Sequence, residues 1–274
     1  MTDSREEPFR ARWPAWTAPV ALIVALVASV VGAGVIAGIL SSATGSTLGH
    51  PRLAVNLLAT AFQDVALVAT AVIFARAHAA PTRPGQFGLR RVNVRSALGW
   101  AVLAYAASFL FNAAWTSAVG VHQHENLHSE LGLGGDLPGI LGAALVVTVI
   151  APVAEELFFR GYFFAALARW RGPGLAAVLT GIVFGAVHGL GQTPVAFLVP
   201  LAFLGFVLCL LYRRTGSVLP GIALHVINNV LAFGLDEHWG WQIPVLLAGS
   251  LGAVAVLLGP ALVRAPRAGA PAPA

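Results

Sequence analysis

Eight apolar stretches run through this chain, read against the roughly twenty residues that a helix needs to cross the hydrocarbon core of a bilayer, about 30 Å thick. They cover 19–40, 53–75, 97–119, 139–168, 174–190, 194–212, 218–235 and 241–263; the fourth is long and the fifth to seventh are short, as suits helices shielded by neighbours. In lipid, backbone polar groups must be satisfied within the segment, so the expected fold is all-α, a polytopic membrane bundle of about eight helices. The composition agrees: 58% of the 274 residues are hydrophobic and 10% are charged, against about 25% charged in soluble chains. The expected organisation is a tail over 1–18, one transmembrane domain over 19–263, and an Ala-, Pro-, Gly- and Arg-rich tail over 264–274 that is expected to be disordered. The first span does not read as a cleaved signal, because its apolar run is long and its flank mixes Glu6 and Glu7 with Arg5, Arg10 and Arg12.

The basic residues are all arginine, and their placement predicts the orientation. Arg5, Arg10 and Arg12 precede the first span; Arg76, Arg83, Arg90, Arg91 and Arg95 separate the second from the third. Arg169 and Arg171 follow the fourth, Arg213 and Arg214 the sixth, and Arg264 and Arg267 the eighth. With eight crossings, all of these fall on one side, the cytoplasm, and both termini are expected there. The opposite loops carry Glu125, Glu130, Asp136, Asp236 and Glu237. The net charge of +5 does not point to nucleic acid, since the arginines lie between apolar segments and form no basic domain. The single cysteine, Cys209, sits in an apolar stretch and reads as core.

Ionisable residues inside a membrane are costly, which makes each a functional candidate. Glu155, Glu156 and Arg160 lie in the fourth span. Glu156 and Arg160 are at i and i+4, with the acid N-terminal to the base, the favourable order for an ion pair. Glu155 points elsewhere and has no partner in its own helix, which leaves it available as a general base. A purely structural network of the three residues is the competing reading. The fifth span carries Phe184 and His188, and the seventh His225 and Asn229, each pair at i, i+4. Glu155 is 14 residues from Arg169, and His188 is 14 from Gly174, about 21 Å of helix in each case. These side chains therefore reach similar depths. Gly181, Gly185 and Gly189 recur every four residues along the fifth span and permit close approach of a neighbouring helix.

A carboxylate, two imidazoles and an amide in one polar pocket suit hydrolysis of a carbonyl. Glu155 takes a proton from water, His188 helps hold that water, and His225 with Asn229 donates to the developing oxyanion. Asn228 is the alternative amide. No Gly-x-Ser-x-Gly or phosphate loop is present. Zinc held by Glu155, His188 and His225 is the rival chemistry; the absence of His-Glu-x-x-His favours a metal-free glutamate mechanism.

These motifs, Glu155-Glu156-x-x-x-Arg160, Phe184-x-x-x-His188 and His225-x-x-x-Asn229, resemble in their order and spacing those of the CPBP family, the CAAX proteases and bacteriocin-processing or Abi proteins. The resemblance covers about 139–235. It implies an intramembrane endopeptidase in which Glu155 activates water, His188 assists, and His225 and Asn229 bind the oxyanion. Glu156, Arg160 and Phe184 would be structural support. It leaves zinc open and names no substrate beyond a membrane-associated protein or peptide. The lysine-free, Ala- and Arg-rich composition points to a bacterial membrane. Bacteria generally lack prenylated CAAX proteins, so peptide maturation, bacteriocin self-immunity and membrane-protein processing are the open roles. A non-catalytic immunity or scaffold protein of the family is one alternative. A proton-coupled transporter is another, disfavoured because no pair of broken helices repeats in two halves.

Outside the motifs, His122, His124 and His128 read as a solvated loop. Asp64 reads as a helix-gluing residue that pairs with Asn112 or another polar group. Trp13, Trp16, Trp100, Trp239 and Trp241 read as interfacial anchors.

Overall fold

The computed structural model describes residues 13–44, 53–120, 137–190 and 193–263. Arg5, Arg10, Arg12, Arg52, Arg264 and Arg267, the outer-loop residues Glu125, Glu130 and Asp136, and the three histidines at 122–128 lie outside them, as does the tail 264–274. Among the described residues there are seven helices long and apolar enough to cross a membrane: α1 (Thr17–Thr44), α2 (Leu53–Ala79), α3 (Val94–Val119), α4 (Leu137–His188), α5 (Val195–Thr215), α6 (Leu219–Asp236) and α7 (Gln242–Val263). The fourth is 52 residues long and contains two of the expected spans. It breaks at Gly172, whose φ of 78° and ψ of 161° are not helical, followed by Pro173, which lacks the N–H a helix interior needs. Beyond that break the chain folds back. The Phe159 and Phe184 rings are 25 positions apart in sequence and 5.1 Å apart in space. The two limbs of α4 therefore stand where the fourth and fifth spans are expected.

The helices sort into a shielded centre and a lipid-facing periphery. α4 and α6 bury half of their most apolar window, whereas α1, α3 and α7 bury less than a fifth. Val30, Ile39, Val102, Leu110 and Val256 remain exposed. In a soluble protein such apolar surface marks an association site; around a membrane bundle it is the face that meets acyl chains.

Three helix contacts set the site. α2 packs on the first limb of α4, α6 packs beside that limb, and the second limb packs along α5. The glycine stripe of the second limb faces α5. A Cβ on Gly181 would sit 2.6 Å from the Ala202 carbonyl oxygen, and one on Gly185 would sit 2.5 Å from that of Leu198. Both neighbours are backbone and cannot swing away, so Gly185→Ala is expected to push α5 off and lower stability by about 1–3 kcal/mol, as overpacked sites do. Thermal unfolding in detergent checks this; an unchanged midpoint would mean that the helices separate freely.

The arginine-rich end is tied together by side chains. Trp13 is fully buried, stacked on Phe87 at 5.4 Å and on Tyr162 at 5.0 Å, and its indole N–H donates to the Tyr162 carbonyl at 3.3 Å. It is thus a core residue and not an exposed interfacial anchor. Trp16 and Trp241, by contrast, are 56% and 74% exposed. The Tyr162 hydroxyl donates to Thr17 Oγ1 at 2.8 Å. Between α2 and α3, the chain makes a short 3-10 turn over Pro84–Phe87, closed by Gly88 in the left-handed conformation. Ser217 Oγ donates to the Arg90 carbonyl at 2.7 Å, and Val218 N–H donates to that of Gly88 at 2.9 Å.

Candidate active site

The first limb of α4 carries the acidic centre. It is α-helical over Ala151–Glu155 and widens into a π-helix over Glu156–Phe164, a geometry that is frequent at functional sites. Arg160 Nη1 donates to Glu156 Oε1 at 2.6 Å, and both side chains are fully buried. Arg160 Nη2 donates to the Gly205 carbonyl of α5 at 3.1 Å, and its guanidinium lies 4.5 Å from the Phe184 ring centroid. Salt bridge, carbonyl and aromatic face together fix the charge, while Arg160 Nε has no hydrogen-bond partner among the described residues. Gly221 of α6 leaves room for this pair, because a Cβ there would lie 2.7 Å from Glu156 Oε2.

His225 connects the two glutamates. Its Nδ1 lies 3.2 Å from Glu156 Oε1, and its Nε2 lies 3.9 Å from Glu155 Oε2. The Glu156 oxygen already accepts from Arg160 and acts as an acceptor, so Nδ1 carries the hydrogen and Nε2 is the atom turned toward Glu155. A straight α-helix turns about 100° per residue and would separate adjacent glutamates more widely. The π-helical stretch turns less per residue, and both carboxylates meet one imidazole. The Glu155 side chain is 14% exposed, against 0% for Glu156. Glu155 Oε2 has no hydrogen-bond partner among the described residues.

His188 ends the second limb of α4 and is half-buried. Its Nδ1 donates to the Phe184 carbonyl at 2.7 Å, which directs Nε2 away from its own helix. It makes no hydrogen bond to either glutamate. It approaches the centre across Phe184, whose ring is 4.8 Å from His188 and 5.9 Å from His225. Asn229, one turn beyond His225 on α6, donates to the Val147 carbonyl at 2.9 Å, and its side-chain oxygen accepts from Asn228 at 3.3 Å. Val147 lies in a second π-helical stretch, Val146–Ile150.

Asp64 of α2 is 1% exposed, and its Oδ2 has no hydrogen-bond partner. Its carboxyl is in the neighbourhood of Glu155 on α4. The sequence alone assigned it to helix packing; its acidic neighbour on α4 is visible only in the folded chain. The carbonyls of Gly205 and Val147 are further contributors that no side-chain pattern could reveal, since every residue carries one. Cys209 is fully buried, as expected of a core residue.

Among the described residues no group of three or more His, Cys, Asp or Glu side chains is spaced to hold a metal ion. Glu155 and His225 stand together, and His188 is not grouped with them at ligand spacing.

Sequence comparison finds relatives over the segment that carries these residues. Residues 137–231 match the family described as Rce1-like, type II CAAX prenyl endopeptidase. The chain is 31% identical over 96 residues to the uncharacterized protein YyaK of Bacillus subtilis (strain 168), covering 33% of this chain and 32% of that protein. It is 28% identical over 85 residues to the putative membrane peptidase YdiL of the same organism, covering 31% of this chain and 33% of that protein. The chain thus spans about a third of the length of the curated relatives it matches. No solved structure matches it. The matched segment runs from the start of α4 into α6 and contains every motif residue from Glu155 to Asn229. Over residues 137–231, about a third of its length, the chain is similar to the Rce1-like type II CAAX prenyl endopeptidases.

Proposed function

We propose that this chain is an intramembrane endopeptidase that hydrolyses peptide bonds of a membrane-associated protein or peptide with a water activated by Glu155. The observation that carries this reading is the placement of Glu155 opposite His225 Nε2 at 3.9 Å, with its side chain partly exposed, while its neighbour Glu156 is fully buried and ion-paired to Arg160 through Oε1. Glu155 is the free base and Glu156 the anchor. In the reaction, Glu155 removes a proton from the attacking water as its oxygen bonds to the scissile carbonyl carbon. The negative charge that builds on the carbonyl oxygen is met by donors from α6, the amide hydrogen of Asn229 not given to Val147 and, once Nε2 also carries a hydrogen, His225. Breakdown of that intermediate breaks the C–N bond. The proton held by Glu155 passes to the leaving nitrogen, with His188 at the edge of the site to relay it.

Both termini and the arginine-rich end face the cytoplasm in this reading, following the positive-inside rule. The buried half of α4 and α6 forms the shielded reaction space, and the substrate enters from the bilayer. The mechanism requires no metal.

The test is cleavage of bilayer-anchored peptide libraries by the purified chain in proteoliposomes, with products read by mass spectrometry. Hydrolysis that persists in the presence of a strong chelator is the expected result. Loss of activity on chelation, restored by zinc, would contradict the metal-free mechanism. Absence of cleavage across libraries, with the protein folded, would favour a non-catalytic member of the family.

A further inference from the structure

A cleft of about 200 Å³ opens at the arginine-rich end, between the last turns of α2, the α2–α3 connection and α4. Val72, Phe87, Leu89 and Leu157 form its apolar wall, and Arg76 and Arg83 stand at its rim. The wall is preformed. Phe87 closes the 3-10 turn and stacks on Trp13, Arg90 Nε donates to the Gly85 carbonyl at 2.9 Å, and the connection is hydrogen-bonded to Ser217 and Val218.

The rim is unbalanced in charge. Arg76 and Arg83 are both exposed. Between Asp64 and Glu125 the sequence contains no acidic residue, and the connections that meet this end, around Arg169–Gly174 and Arg213–Val218, contain none either. The described part of the protein therefore offers these two guanidiniums no carboxylate. A ligand that suits the site has a negative head for the arginines and an aliphatic body for the cleft.

We propose that this cleft binds one anionic phospholipid of the surrounding leaflet, its phosphate between Arg76 and Arg83 and an acyl chain against Val72, Phe87, Leu89 and Leu157. Guanidinium pairs hold phosphate oxygens with directed, charge-assisted hydrogen bonds, and basic pockets between membrane helices are suited to anionic headgroups. The bound chain lies against α4 two residues beyond Glu155, which couples the lipid to the helix that carries the site. Lipid occupancy does not depend on the chain being a peptidase.

The test uses the full chain in detergent with either phosphatidylglycerol or phosphatidylcholine added, and bound lipid is counted by native mass spectrometry. The wild type should retain one phosphatidylglycerol in preference to phosphatidylcholine by about tenfold or more, given two arginines at the headgroup. Arg76→Gln with Arg83→Gln should abolish that preference without moving the thermal midpoint. Val72→Trp should fill the cleft and displace both lipids, whereas free glycerol phosphate should displace neither. Equal retention by the wild type and the double arginine variant would overturn the proposal, as would displacement by free glycerol phosphate. So would phosphatidylglycerol binding that appears only after Asp3, Glu6 and Glu7 are neutralised, because the amino-terminal segment would then be the occupant.

Discussion

Replacing Arg160 with methionine should unfold this protein more readily than any other single change in the bundle. Glu156 and Arg160 are both fully inaccessible, and their 2.6 Å contact is the main compensation for burying either charge. Removing one member of such a pair leaves the other uncompensated, at a cost of about 3–5 kcal/mol. His225 cannot make up the loss, because its Nδ1 supplies a single hydrogen at 3.2 Å. Arg160 also bonds the Gly205 carbonyl and covers Phe184, so α5 and the second limb of α4 loosen with it. The double replacement Glu156→Gln with Arg160→Met should recover much of that stability, since no buried charge is then left alone. Denaturant unfolding in mixed micelles measures both variants. An Arg160→Met protein as stable as wild type would mean that water reaches this pair.

Glu155→Gln should have the opposite signature, a folded protein with almost no turnover. Glu155 makes no hydrogen bond through Oε2 and keeps some exposure, so its loss removes little from the packing. A glutamine has nearly the same shape but cannot take a proton from water. Loss of a positioned general base costs about 10²–10⁴ in rate. The fall should appear in kcat with KM little changed, because the residue acts on the water and not on the substrate chain. Steady-state cleavage of one membrane-anchored peptide, together with a thermal melt, separates the two effects. Equal turnover by the two proteins would remove Glu155 from the mechanism.

Much of this arrangement is legible in the sequence, for definite physical reasons. Apolar length alone marks the membrane helices, because a bilayer imposes its thickness on every crossing. The Glu156–Arg160 pair follows from i, i+4 spacing, and the close approach of α5 follows from the Gly181 and Gly185 stripe. Other features depend on local departures from regular geometry. The fold-back at Gly172 makes two expected spans one interrupted helix. The π-helical stretch at Glu156 lets adjacent glutamates share His225, which the regular 100° step argues against. Trp13 looks like an interfacial residue until the α2–α3 connection is seen to fold over it. The binding partners of Arg160 and Asn229 include main-chain carbonyls, which leave no trace in side-chain patterns.

Glu155, His188 and His225 should act as a unit, and kinetics can show whether they do. Cleavage rates of Glu155→Gln, His188→Ala, His225→Ala and the triple replacement, measured on the same bilayer-anchored peptide, give the answer. Groups that cooperate in one step are strongly non-additive, so each single variant should fall to within about tenfold of the triple. Losses that simply multiply from one variant to the next, or a histidine variant that turns over like wild type, would contradict a shared catalytic centre between α4 and α6.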